Sequence, residues 1–469
     1  MADSGSGKPN LLTSLPEDAL RHIVSLALQL ERQETGETRS ELGLACKRLW
    51  KLYSESRFAG GHKMVTHPPD CQAALHGAVA TFAPGVTVLH IIGPGDFFCS
   101  TLLAPLGPYV QQVALEGSLA NPGLLQLLSA WPALRQLRIE EHAPPGGWLQ
   151  FASSGGLPEP LRGKVVELKT TAQGVAAVLP QLPRLKSLHA LQEESLWSWP
   201  PVLPLPDACQ VLPLLSALEE LELVDFPAIL RDSAALDSLV AVLASLPSLQ
   251  RCSFRTVALQ AITPSLAQLS GQLTSLEIEC GRHLDDEEVE VANAAFATVW
   301  RLHALERLRV SLACERTWPI SFPAQPCMRA LRMLRLHDCD FPRDTLPPHL
   351  FNGDVMPALI ELDIDCGIDL EYVLDEEGGA VVNLPPRFTS LTALAMLTLE
   401  RCALRELPPL LQHMQLRQLS LVGNPIESLP EGPWLQRLEV LDLRQTLVRS
   451  RPPQLSEACK VNMPEDCDP

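Results

Sequence analysis

The sequence predicts an α/β repeat fold, in which short parallel strands stack side by side and each is followed by a helix or an extended connector. Three observations predict it. A six-residue aliphatic frame, Leu-x-x-Leu-x-Leu, returns throughout the chain. Its spacing averages roughly 27 residues, too short for a domain and right for one strand with one return. The 469 residues are 46% hydrophobic but only 5% aromatic, so the apolar material is mainly aliphatic and too much for one ordinary core.

The strands come first. The frame stands at Leu134/Leu137/Ile139, Leu218/Leu221/Leu223, Leu249/Cys252/Phe254, Leu273/Leu276/Ile278 and Leu305/Leu308/Val310. It continues at Leu331/Leu334/Leu336, Leu359/Leu362/Ile364, Leu394/Leu397/Leu399, Leu416/Leu419/Leu421 and Leu438/Leu441/Leu443. Weaker copies start at Val86, Val110, Val165 and Leu185, giving about 14 in all. Three copies run further: "LRMLRLHDCDF", "LAMLTLERCAL" and "LRQLSLVGNPI" put Cys339, Cys402 and Asn424 three residues after the last leucine. There the chain turns inward, and a buried polar side chain must satisfy backbone groups. These residues resemble the leucine-rich repeat family over residues 86–448. The resemblance implies a horseshoe-shaped solenoid with its parallel sheet on the concave face.

The returns vary in kind. Leu236, Leu239, Val240, Leu243 and Leu246 share one face of a predicted helix over 232–249, and residues 290–305 read the same way. The last two spacings are shorter and carry "LRELPPLL" and "IESLPEG", which predict extended or 3₁₀ connectors. Two insertions stand out: 193–208, with Trp197 and Trp199 among prolines, and 366–386, with an acidic run and Tyr372. Residues 449–469 leave the rhythm and read as a C-terminal cap with an acidic tail.

The N-terminal stretch has a different rhythm. Residues 1–10 read as a flexible terminus. Ser14 and Glu17 form a capping box with Pro16 in the first turn, and Leu20, Ile23, Val24, Ala27 and Leu28 form one apolar face. A second helix is predicted over 38–53, with Leu42, Ala45, Leu49 and Leu52 on one side. Residues 11–57 resemble the F-box, the helical module of ubiquitin-ligase receptors: its Leu-Pro matches Leu15 and Pro16, its aliphatics match Leu20, Ile23 and Leu26, and its closing Cys and Trp match Cys46 and Trp50. The chain departs from the pattern by some seven extra residues between Leu-Pro and Cys, and by a one-position offset of the Trp. The resemblance implies that these seven residues dock on a cullin-ligase adaptor while the repeats hold a target protein. The alternative is a helical cap over the first repeat, in a non-catalytic interaction scaffold of the cytoskeletal or ciliary axoneme kind. Residues 58–85 read as linker or N-terminal cap.

Composition excludes several classes. A formal net charge of −18 argues against nucleic acid as partner. Thirteen scattered cysteines without a Cys-x-x-Cys pair argue against a disulfide scaffold or zinc module and for reduced thiols, in cytoplasm or nucleus. No stretch reads as a signal peptide or a membrane span. "GSGKPN" lacks the spacing of a phosphate loop, neither Gly-x-Ser-x-Gly nor His-Glu-x-x-His occurs, and His337 with Cys339 lacks a second ligand pair. No enzyme, cofactor or metal is expected. What remains is the charge carried between the leucines: Glu220/Glu222, Arg251/Arg255, Glu277/Glu279, Arg307/Arg309, Arg335, then Glu361/Asp363/Asp365. Neighbouring strands lie about 4.8 Å apart, so this alternation either neutralises itself across strands or forms a recognition stripe for an acidic or phosphorylated segment.

Overall fold

The computed structural model describes residues 63–66, 87–92, 103–116, 122–140, 156–171, 178–191, 211–226, 230–257, 262–280, 297–312, 328–337, 351–367 and 384–464. The module expected over 11–57, with Leu15, Pro16, Leu20, Ile23, Leu26, Cys46 and Trp50, lies outside them. So do Trp197, Trp199, Cys339 and Tyr372. The chain divides into two compact units, residues 1–184 and 185–469.

In the first unit, β1 (Lys63–Thr66), β2 (Val88–Ile92), β3 (Gln112–Glu116), β4 (Gln136–Glu140) and β5 (Val165–Thr171) pair in chain order, all parallel. A short helix, α1 (Pro122–Ser129), returns the chain between β3 and β4, and one turn, α2 (Glu159–Arg162), precedes β5. Two expectations shift here. Strand β1 falls in the segment read as linker or N-terminal cap, and "KMVT" carries none of the leucine frame that marks the other strands. Val165 was expected to open a copy, yet it sits opposite Leu137, the second position, and a bulge between Leu137 and Arg138 brings Leu168 opposite Ile139.

The second unit continues the pattern. It contains β6 (Ser187–Leu191), β7 (Glu220–Val224), β8 (Arg251–Arg255), β9 (Ser275–Cys280), β10 (Arg307–Leu312) and β11 (Met333–His337). Then follow β12 (Glu361–Asp365), β13 (Met396–Glu400), β14 (Gln418–Ser420), β15 (Val440–Asp442) and β16 (Lys460–Asn462). Each pairs in parallel with the next, so β16 adds a strand where only an end cap was expected. The register places frame position on frame position: Leu221, Cys252, Leu276, Leu308, Leu334, Leu362, Leu397, Leu419 and Leu441 form one buried row. Phe254, Ile278, Val310, Leu336, Ile364 and Leu399 form the next. Each such side chain contributes roughly 1.5–3 kcal/mol before entropy, so the stack is stable where one repeat is not.

The return between β7 and β8 is the helix α3 (Ser233–Ala244), as the apolar spacing predicts. The Asp232 side chain caps it, accepting from the N–H groups of Ala234 and Ala235 at 2.8 and 3.1 Å. Shorter returns are 3₁₀ turns, among them Pro264–Leu269, Pro386–Ser390, Pro409–His413 and Leu435–Arg437. Proline opens three of these, where its missing N–H costs nothing. At the other end of β7, β8, β13, β14 and β15 the chain bends sharply. Asp225, Thr256, Arg401, Gly423 and Gln445 all hold positive φ, and each is seven residues past the first leucine of its copy. Four of the five are not glycine, so the bend is held by its surroundings at some cost in backbone strain.

Candidate functional site

The frame leucines occupy the inner side of the sheet, so the intervening side chains share its other face. There, in the second unit, the charges of neighbouring strands meet. Glu220 pairs with Arg251 at 3.1 Å. Arg255 reaches Glu222 at 3.0 Å on β7, and Glu277 and Glu279, both at 3.7 Å, on β9. Arg309 reaches back to Glu277 at 3.3 Å. Arg335 holds Glu361 at 2.7 Å and approaches Asp363 at 3.7 Å. Histidines extend the lattice at both ends: His189 hydrogen-bonds Glu222, and His337 lies 3.3 Å from Asp363.

Each pair is partly solvent-exposed and contributes little alone, about 0–1 kcal/mol. Shared partners make the arrangement a network, which fixes where each charge points. Of the eight residues expected to bind a partner, Arg251, Arg255, Arg309, Arg335, Glu361, Asp363 and Asp365 are all in ion pairs. Arg307 differs. Its side chain is exposed, and its guanidinium has no ion-pair or hydrogen-bond partner among the described residues. Asp365 differs the other way. It is only 8% exposed, its carboxylate is gripped by Arg401, with Nε at 2.8 Å, and it accepts from the Gly367 N–H at 3.0 Å. Asp365 therefore braces the bend after β13 and has little surface to offer a partner. Sequence reading missed Arg401 because its role depends on the left-handed backbone (φ 48°) that swings it over the strand end.

The two ninth positions among the described residues, Cys402 and Asn424, behave as the frame predicts. Asn424 is fully buried. Its Oδ1 accepts from the N–H groups of Cys402 and Leu404 at 3.1 and 3.0 Å, and its Nδ2 donates to the carbonyls of Leu399 and Leu421 at 2.7 and 2.8 Å. Cys402, one repeat earlier, makes a thinner version of the same set, donating to the Glu400 carbonyl at 3.1 Å.

At the C-terminal end, Asp442 accepts from Arg444 Nη2 and Asn462 Nδ2, both at 2.8 Å. Burial pushes this carboxyl up, but the donors outweigh burial and leave it below the usual carboxylate range. The unfolded chain therefore binds this proton more readily than the native one. The resulting stability is present above the ordinary carboxylate range and is lost as pH falls through it. Amide protection factors at β15 and β16 should fall between neutral pH and about pH 3 more than those at β9 and β10, and Asp442→Asn should flatten that difference.

An open cleft of ≈ 580 Å³ on the return side of the last repeats is lined by Leu407, Pro409, Pro425, Pro430 and Leu447, with Arg405. Among the described residues, no group of three or more His, Cys, Asp or Glu side chains is arranged to hold a metal ion, and no helix is long and apolar enough to cross a membrane.

The repeated frame and the in-register parallel strands define a leucine-rich repeat fold. No protein-family model matches the chain, and no curated protein matches it significantly. Solved structures similar to it include TLR13 in its complex with ssRNA13, at 17% identity, TM-score 0.44, over 81% of this chain and 60% of that one. Others are the internalin InlF from Listeria monocytogenes (12% identity, TM-score 0.42, 83% and 96% of the two chains) and an LRR protein from Leptospira interrogans (15%, 0.30, 82% and 98%).

Proposed function

We propose that the chain is a non-catalytic receptor: its repeats hold a target protein, and residues 11–57 dock on the adaptor of an SCF-type cullin ubiquitin ligase, in cytoplasm or nucleus. The observation that carries the first half is the sheet face, a fixed lattice of paired charges around the exposed Arg307. Paired charges present a defined pattern, and such patterns select partners more than they add affinity. The second half rests on the spacing of Leu15, Pro16, Leu20, Ile23, Leu26, Cys46 and Trp50 ahead of the repeats. The receptor does no chemistry. It raises the local concentration of a target lysine beside the conjugating enzyme.

Co-purification with a cullin-ligase adaptor tests the docking half. The wild type should form a stoichiometric complex, and Leu20→Asp with Ile23→Asp should abolish it by placing charge on the apolar face. No complex with the wild type overturns the docking assignment. The charged face has a separate test on arrays of acidic and phosphoserine peptides. Arg307→Glu should weaken retention about tenfold, because it removes a donor that no carboxylate among the described residues occupies. Unchanged retention removes Arg307 from the site.

The scaffold reading is favoured by one observation. Strand β1 begins at Lys63, after the five residues that follow 11–57, and is the first strand of the sheet among the described residues, where a terminal edge calls for cover. A cap predicts that deleting residues 1–57 leaves a chain that aggregates at low concentration. A docking module predicts a deletion that stays monomeric and loses only the adaptor.

A further inference from the structure

Cys366 follows β12 directly, and Cys402 lies just past the end of β13, one repeat further on. Their sulfur atoms are 3.4 Å apart in the interior. The approach is set by the backbone. The Cys366 N–H donates to the Glu400 carbonyl at 3.2 Å, and that same carbonyl receives the Cys402 thiol at 3.1 Å. Arg401 closes the arrangement from the side, gripping the Asp365 carboxylate next to Cys366. The two sulfurs are thus held together by the Glu400 carbonyl that both residues share and by the adjoining Asp365–Arg401 ion pair. Cys252 and Cys459 are also buried thiols, but neither meets a second thiol among the described residues.

We propose that Cys366 and Cys402 are a redox pair that a peroxide converts to a disulfide joining consecutive repeats. Cys366 is the entry sulfur: it keeps 9% exposure, while Cys402 is fully buried. The Cys366 sulfur attacks one peroxide oxygen; an S–O bond forms, the O–O bond breaks, and one water leaves. The Cys402 sulfur then attacks the resulting sulfenic acid; the S–S bond forms, the S–O bond breaks, the Cys402 proton goes to the leaving oxygen, and a second water departs. Two thiols lose two electrons to one peroxide, giving one disulfide and two waters. Burial, together with the contact to Cys366, pushes the Cys402 thiol well above the usual thiol range. The closing step is therefore slow at neutral pH and accelerates as pH rises.

Cys366 and Cys402, 36 positions apart in the chain, close a loop on oxidation. Closing it removes freedom from the unfolded chain, so the oxidised protein should resist denaturant better around β12 and β13. The reagent thiols of the cytoplasm would reverse the bond, which makes it a switch for local rigidity.

The experiment uses the full chain, reduced, freed of reductant and treated with hydrogen peroxide. Free thiols are then alkylated and the digest is mapped by mass spectrometry. The expected result is a linked Cys366–Cys402 peptide pair, two hydrogens lighter than the reduced peptides, that appears faster at higher pH and vanishes with dithiothreitol. In Cys402→Ser, Cys366 should instead accumulate as sulfenic acid, trapped by a cyclic 1,3-dione. In Cys366→Ser, Cys402 should stay reduced. Absence of the linked pair in the wild type, at peroxide levels that oxidise exposed thiols, overturns the proposal. So does a wild type in which Cys366 is linked mainly to other cysteines. The wild-type map decides without any variant, so a variant that misfolds does not blur the answer.

Discussion

Asn424→Ala should destabilise the second unit by about 3–4 kcal/mol, a large loss for one polar residue. The side chain sits with no exposed surface and makes four strong hydrogen bonds to main chain, spanning Leu399 to Leu421. Alanine leaves two buried N–H groups and two buried carbonyls without the amide that satisfied them. Each orphaned group costs about 1–3 kcal/mol, and relaxation recovers part of the sum. Cysteine at 424 should cost less, because Cys402 already fills the equivalent place one repeat earlier with a single thiol donor. Asn424→Asp keeps the acceptor but replaces the donor with buried charge, and should be as harmful as alanine. Urea unfolding gives the magnitude. Amide exchange at Cys402 and Leu404 locates it, since both lose their acceptor directly. A loss below about 1 kcal/mol would show that the ninth position is not what holds the bend.

Phe388→Ala should cost about 3–5 kcal/mol through the cavity it leaves. Phe388 and Phe351 are both fully buried, with ring centroids 6.3 Å apart and planes tilted by 39°. Phe351 lies ahead of β12 and Phe388 ahead of β13, so the two rings fill the space between the returns of successive repeats. This junction is where a long insertion interrupts the spacing, and aromatic volume substitutes for the leucines used elsewhere. Phe388→Leu should keep about half of the stability, because the smaller side chain still fills part of the space. The readout is denaturant unfolding, with faster amide exchange confined to β12 and β13. Equal acceleration at β7 and β8 would contradict the locality expected of a repeat stack.

The two positions differ in how far the sequence exposes them. Asn424 is legible because the frame counts directly to it, and the physical demand at that place is always the same: a turn that buries backbone groups. Helix α3 is legible too, since its apolar spacing and its Asp232 cap are both local signals. The phenylalanine pair is not. Phe351 and Phe388 are separated by an insertion, and only the folded chain shows that they meet. The same holds for the strand at Lys63–Thr66, within the segment read as linker or N-terminal cap, which pairs without any leucine, and for the bulge that shifts Val165 by one frame position. The candidate site divides likewise. The alternation of charge along Glu220, Arg251, Glu277 and Arg309 is written in the sequence, but that Arg307 remains outside the lattice while Asp365 is absorbed into the framework depends on individual side-chain geometry.

The alternating charges of β7 to β10 also bear on how this chain avoids assembling incorrectly. Repeats of similar sequence are easily confused during folding, since any aliphatic frame can lie on any other. Here a skipped strand is penalised. Pairing β7 directly with β9 in the native register would set Glu222 against Glu277, and pairing β8 with β10 would set Arg251 against Arg307. Like charges directly opposite each other repel, whereas the native register sets serine against Glu222, Glu277 and Arg307 and opposite charge in the pairs Glu220–Arg251 and Glu277–Arg309. The lattice thus acts as an address system, giving each of these strands a reason to accept its sequence neighbour and refuse the next one along.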